Sequence, residues 1–223
     1  MADLQLSTLF SYILTLVFPP RCLGCRKTGT ALCTTCVDTL PRYENRTDET
    51  LAVFSYTNPL IQKTLWRLKY HGRKEIAAAF GPTLFETVLP TLGEVAVWQN
   101  GSRPNWLVVP LPLSPERQRR RGFNQAELLA KALCAEDTEK MFTLRTDILS
   151  KIKETKSQVT QPTRAARFSN IKDCFTVLTP LANQHILLID DTRTTGATLG
   201  EATRTLQNAG AKTVITLVVA QQE

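Results

Sequence analysis

The chain has 223 residues, 43% of them apolar and 21% charged, with a formal charge of +7. That composition suits one globular domain with a small appendage and excludes a disordered or fibrous protein. Leu6, Leu9, Phe10, Ile13, Leu14 and Val17 recur at helical spacing, predicting an amphipathic helix over residues 4–18 that Pro19 and Pro20 end. Its other face lacks the Lys/Arg of a membrane-surface helix, so it is expected to dock on the body of the protein. The apolar run at 9–18 is too short to span a bilayer, and Met1-Ala2-Asp3 opens no secretory signal. A cytoplasmic protein with no membrane span is expected.

Cys22-Leu-Gly-Cys25 and Cys33-Thr-Thr-Cys36 follow as two closely spaced CxxC pairs. Four thiolates at this spacing can enclose a Zn²⁺ ion tetrahedrally with no open position, so a structural zinc site is expected in a reducing compartment. An iron–sulfur centre is the alternative. Residues 1–40 are thus read as a helix plus zinc module, and residues 41–50 as a polar linker. A third unit, the main domain, would fill 51–223.

Within the main domain, strands are predicted at 51–56, 106–110, 175–178, 185–189 and 213–219. Helices are predicted at 58–70, 74–89, 125–134 and 197–208, with His71-Gly72 interrupting the first two and Gly210 capping the last. Residues 150–163 are polar without an apolar period and read as a mobile loop. Continuous apolar strands separated by helices indicate a buried, mostly parallel α/β sheet.

The most informative segment runs from Ile186 through Asp190, Asp191, Thr192, Arg193, Thr194, Thr195, Gly196 and Ala197 to Thr198. A buried strand delivers two carboxylates at its C-terminal end, and a Thr/Gly turn opens the next helix. Gly196 lets backbone N–H groups approach an anion, the helix N-terminus adds positive partial charge, and the threonines add hydroxyl donors. The turn can therefore hold a phosphate monoester while the carboxylates accept hydrogen bonds from a diol, as in a ribose 5-phosphate. The segment resembles the signature of type I phosphoribosyltransferases, which bind 5-phosphoribosyl-1-pyrophosphate (PRPP). That resemblance implies that Asp190 and Asp191 hold the ribose and residues 192–198 the 5′-phosphate. Arg193 would either add phosphate affinity or face solvent.

A second segment, from Val108 to Gln125, is read as a proline-stiffened turn crossing Arg117, Arg119, Arg120 and Arg121. Arginine binds phosphate oxygens through paired hydrogen bonds, which suits a pyrophosphate, a nucleic acid or a solvated turn alike. Residues 114–172 hold 13 Lys/Arg against 7 Asp/Glu, an excess of six that favours an anionic partner. Asn124 and Gln125 read equally as helix caps or ligands. The run Arg121-Gly-Phe-Asn-Gln125, the segment Leu68-Lys-Tyr70, and Thr155, Gln158, Arg164, Arg167, Asn170 and Phe175 together resemble the ComF family of ComFC- and GntX-like proteins.

Membership implies a phosphoribosyltransferase-like fold behind an N-terminal zinc finger, with PRPP bound alongside Mg²⁺. It assigns Arg117 and Arg121 to the pyrophosphate. It also implies a role in natural transformation, with single-stranded DNA and DNA-uptake proteins as partners. Two functions compete at this stage. One is a PRPP-binding competence factor; the other is an active phosphoribosyltransferase of small-molecule metabolism with an unidentified acceptor.

Overall fold

The computed structural model describes residues 19–44, 50–95, 104–153 and 171–222. The helix predicted over 4–18, residues 154–163 of the predicted loop, and Thr155, Gln158, Arg164, Arg167 and Asn170 lie outside them. In chain order the elements are α1 (Thr34–Asp38), β1 (Thr50–Ser55), α2 (Pro59–Tyr70), α3 (Glu75–Val95), β2 (Trp106–Pro110), α4 (Pro115–Arg121) and α5 (Gln125–Ala135). They continue as β3 (Phe142–Leu144), β4 (Leu149–Lys151), β5 (Phe175–Val177), β6 (His185–Arg193), α6 (Ala197–Asn208) and β7 (Thr213–Gln221).

Five strands form one sheet in the order β1-β7-β6-β2-β3, and every pairing in it is parallel. Side chains alternate across this sheet, so each strand feeds two cores. Trp106 and Val108 of β2, with Leu187 and Ile189 of β6, join one buried cluster with residues of α2, α3 and α5. Leu107, Val109, Ile186 and Leu188 join the other, with Leu199, Ala202 and Leu206 of α6. The result is a three-layer α/β arrangement, as the continuous apolar strands predict.

Several elements differ from expectation. The helix predicted to stop at residue 89 runs on to Val95 through Pro90. Leu84, Val88 and Leu92 are buried along one stripe of it, and their packing outweighs the backbone hydrogen bond that proline removes. The strand predicted to stop at Ile189 continues to Arg193, because β7 goes on pairing with it from Val218 to Gln221. Residues 115–121 form the helix α4, started by Pro115 and ended by Gly122 in the left-handed conformation at φ 75°. Ser150 and Lys151, expected in a loop, belong to β4, which pairs antiparallel with β5. That hairpin stands apart from the main sheet. Asp173 at its base accepts from Arg204 of α6 at 2.7 Å, while the backbone N–H of Asp173 donates to Glu201 at 2.6 Å.

The cysteine module packs directly on this body. Cys22, Ala31, Leu32, Val37 and Leu40 are buried in the same cluster as Leu65, Leu68 and Phe80. Arg42 bridges to Phe54, and the Tyr43 N–H donates to the Val53 carbonyl at 2.9 Å, so residues 42–43 extend the edge of β1.

Helices α3 and α5 cross closely at Gly81, where a Cβ would lie 2.7 Å from the Ala132 carbonyl oxygen. Neither backbone can yield without disturbing the packed cluster between them. Gly81→Ala should cost about 1–3 kcal/mol and lower the thermal midpoint accordingly, measured by circular dichroism.

Candidate phosphate and ribose site with a four-thiol centre

Neighbouring strands β2 and β6 send their connections in opposite directions, β2 through α4 and α5 to β3, and β6 through α6 to β7. Parallel sheets open a crevice at such a reversal, beyond the carboxyl ends of the strands. A cavity of about 220 Å³ lies there, lined from the β2 side by residues 111–114, Arg117, Arg121 and Gln125. From the β6 side it is lined by residues 190–194, Gly196, Thr198 and Leu199; Lys69, Tyr70 and Lys151 complete the wall. The carboxylates, the Thr/Gly turn and two of the arginines singled out in the sequence therefore face one space. Thr195 and Ala197 are not part of the lining. Ala197 is buried as the first residue of α6, and the Thr195 hydroxyl lies 3.5 Å from its backbone N–H.

At the carboxyl end of β6, Asp190 and Asp191 both border this cavity but meet different surroundings. Asp191 is 2% exposed and forms an ion pair with Lys69 at 2.6 Å. The Lys69 ammonium also donates to the Thr192 hydroxyl at 3.2 Å. Burial opposes ionisation of Asp191, but Lys69 outweighs it and holds this carboxyl below the usual range. Burial likewise opposes the Lys69 charge, and Asp191 keeps that ammonium's pKa raised. Asp190 is half-buried, with one oxygen accepting the Asp191 N–H at 2.8 Å. Burial, then the adjacent Asp191 charge, pushes its carboxyl well above the usual range despite Lys69. The two acids thus titrate as a pair with separated behaviour.

At the head of α6, Gly196 adopts φ 75°, a left-handed conformation that suits glycine. A Cβ there would meet the Arg193 guanidinium at 2.8 Å. Arg193 accordingly lies against the turn, with its Nη1 donating to Gln221 at 3.2 Å. It is half-buried there.

On the other wall, the Arg121 guanidinium sits 5.4 Å from the Tyr70 ring centre and donates to the Gln125 side-chain oxygen. Gln125 therefore orients an arginine. Asn124 caps α5 by accepting from the Ala126 N–H, and its amide donates to the Leu111 carbonyl at 3.0 Å. That pair of bonds makes Asn124 a tether for the loop after β2. Ser114 borders the cavity and is 1% exposed, and its buried hydroxyl has no hydrogen-bond partner among the described residues. Native proteins rarely leave a buried hydroxyl unsatisfied, and an oxygen-rich ligand would supply the partner. Lys69 and Ser114 were not singled out as site residues in the sequence, whereas Lys151 belongs to the basic excess over residues 114–172. Lys69 offered a signal only as part of the Leu68-Lys-Tyr70 run.

The segment from Cys22 to Cys36, ahead of β1, gathers the four thiols. All four sulfurs lie within 4.8 Å of one another, with Cys22–Cys33 at 3.6 Å and Cys25–Cys33 at 3.7 Å. A tetrahedral ion with ~2.3 Å sulfur bonds requires edges of roughly 3.8 Å, so the cluster could hold a metal. Burial opposes the Cys22 thiolate, yet backbone N–H groups of Cys33, Cys25 and Gly24 draw its pKa down to about 6. Burial and the neighbouring sulfurs push Cys36 up to about 12. Four thiolates would repel one another, and a divalent cation relieves that repulsion. Gly24 is needed there because a Cβ would lie 2.8 Å from the Cys36 sulfur. Cys134, by contrast, is pushed up to about 11 by burial and Asp137, in keeping with a packing role.

Residues 119–223 match the phosphoribosyl transferase domain family. The DNA utilization protein YhgH of Salmonella typhimurium is 32% identical over 169 residues, which cover 74% of this chain and 68% of that protein. The competence protein ComFC of Bacillus subtilis is 31% identical over 159 residues, covering 71% of this chain and 58% of that protein. The chain belongs to the ComF family. A hypoxanthine phosphoribosyltransferase structure from Trypanosoma cruzi is 13% identical, covering 66% of this chain and 64% of that one at a TM-score of 0.41. No described helix of this ComF-family chain is long and apolar enough to cross a membrane.

Lys69 is the only cation that an ion pair of 4.0 Å or less joins to either site carboxylate among the described residues. Removing one partner of a buried pair leaves the other charge uncompensated. Lys69→Met should cost about 3–5 kcal/mol at pH 7 by denaturant unfolding. Asp191 has a lowered folded pKa, so its paired charge stabilises above the unfolded pKa and that contribution fades as pH falls. The difference between variant and parent should therefore shrink on acidification toward pH 4.

Proposed function

We propose that the chain binds PRPP with Mg²⁺ in the cavity at the β2/β6 reversal and acts in the uptake and handling of single-stranded DNA. The observation that carries the PRPP reading is the convergence on one space of an acidic pair, a Gly196-centred turn at a helix N-terminus, and Arg117 with Arg121. In this reading Asp190 and Asp191 accept from the ribose hydroxyls. Residues 192–198 hold the 5′-phosphate through backbone N–H groups and the Thr198 hydroxyl. Arg117 and Arg121 face the pyrophosphate, and Gln125 and Tyr70 keep Arg121 aimed. Bound with PRPP beside Asp190 and Asp191, Mg²⁺ would offset the negative charge that pyrophosphate brings next to an already crowded acidic pair. The names of the YhgH and ComFC relatives, a DNA utilization protein and a competence protein, support a role with DNA; a cytoplasmic location and DNA-uptake proteins as partners belong to the same proposal.

The second reading is transfer to an unidentified acceptor, and the arginines opposite the carboxylates favour it. A nucleophile would bond to C1′ as the C1′–O bond breaks, the electron pair leaving with pyrophosphate on Arg117 and Arg121. Pyrophosphate release with any acceptor distinguishes that enzyme from a binding factor. The four thiols are proposed as a structural Zn²⁺ site in an N-terminal unit, residues 1–40, joined by 41–50 to the body, 51–223.

Replacing Asp190 and Asp191 by Asn leaves Lys69 unpaired and lowers stability, and calorimetry on the folded variant should find Mg²⁺-dependent PRPP binding abolished. Unchanged affinity would remove the site assignment. Elemental analysis should find about one zinc per chain, lost in Cys22→Ser together with thermal stability; iron in its place would overturn the zinc assignment.

A further inference from the structure

Helix α2 buries Ile61, Thr64, Leu65 and Leu68 and turns the opposite face outward. That outward face carries two large aromatic side chains that the core does not use. Trp66 is 51% exposed and Tyr70 61%, the largest such pair on any described helix. Their ring centres are 6.4 Å apart, and the His71 ring lies 4.2 Å from that of Trp66 at an interplanar angle of 49°. The row begins at the cavity, since Tyr70 is part of its wall and supports Arg121.

Cations flank the row. The Arg67 guanidinium lies 5.8 Å from the Trp66 ring centre. Arg67 also lines, with Arg21 and Arg73, a groove of about 360 Å³ between α2 and the cysteine module. Its Nε is buried without a hydrogen-bond partner among the described residues. Arg73 meets Glu75 at 3.2 Å, the one carboxylate paired with these arginines among the described residues. Exposed rings in a row beside a positive groove fit a ligand with flat faces and regularly spaced negative charges.

We propose that a single-stranded nucleic acid stacks its bases on Trp66, Tyr70 and His71 and lays its backbone along Arg21, Arg67 and Arg73. The inference rests on the proposed handling of single-stranded DNA and gives it a surface away from the basic middle of the chain. Duplex DNA keeps its bases stacked on each other and offers no free faces to the rings. Single strands do, and such stacking tolerates any sequence. Lys151, one of the cations in the basic excess over residues 114–172, is a poor candidate for the same contact, being 7% exposed, near the Phe175 ring and part of the cavity wall. Because Tyr70 belongs to both surfaces, a strand on the row ends at the mouth of the cavity.

The test uses the full chain and a fluorescein-labelled oligothymidylate of about eight nucleotides, read by anisotropy. Trp66→Ala should weaken binding about tenfold, and Trp66→Phe should restore most of it. Affinity should fall with salt at a log–log slope of about −2 for three neutralised phosphates, and flatten in Arg67→Ala. PRPP affinity, followed in parallel by calorimetry, should stay unchanged in Trp66→Ala, so loss of the strand is separable from loss of the cavity reading. Equal binding of duplex, or wild-type oligonucleotide affinity in Trp66→Ala and Arg67→Ala, overturns the proposal. So does a fall in melting temperature in Trp66→Ala with oligonucleotide affinity intact, because the rings are then covered by protein. No oligonucleotide binding by the parent protein overturns it too, and leaves PRPP binding standing.

Discussion

The buried contact between Lys69 and Asp191 is the constraint on which the cavity depends. Two consecutive carboxylates at the end of a strand repel each other and resist burial. A single ammonium from the last turn of α2 holds one of them charged, which places the unfavourable proton balance on Asp190. The neighbouring Tyr70 supports Arg121, and Arg121 is also held by Gln125 at the start of α5. Through two adjacent residues, α2 therefore fixes both the acidic and the basic wall.

Sheet topology decides where those walls meet. The reversal of strand order between β2 and β6 opens the crevice, and extension of β6 to Arg193 carries the acidic pair to its rim. Arg193 then folds against Gly196 and Gln221, stiffening the turn that follows. A positive φ at Gly196 is required for this, so the turn's shape and the arginine's position are one solution to the same packing problem.

The cysteine module is continuous with the body. Its buried residues share a cluster with α2 and α3, and Gly24 sits against both the Cys36 sulfur and Leu60 of α2. Order in the four-thiol centre is thereby mechanically linked to the helix that carries Lys69, Tyr70 and the exposed aromatic row. The cavity, the row and the thiol centre are three faces of one helix's surroundings.

The sequence by itself determined the parallel α/β class, the four-thiol cluster and the acidic pair followed by a Thr/Gly turn. Each is a local pattern: apolar runs, CxxC spacing and residues consecutive along one strand-to-helix junction. It did not determine α4, because an arginine-rich run buries nothing and leaves no apolar period to read. Three-residue strands β3 and β4 likewise carry too few residues to show an alternation, whereas β5 falls within the strand predicted at 175–178. The charge state of Asp190 and Asp191 was decided by tertiary structure alone. Lys69 reaches Thr192 across 123 positions of sequence, and the buried Ser114 borders the cavity only because the fold places it there. Spacing records which groups share a segment; burial and distance, which set how strongly charges act on one another, exist only once the chain has folded.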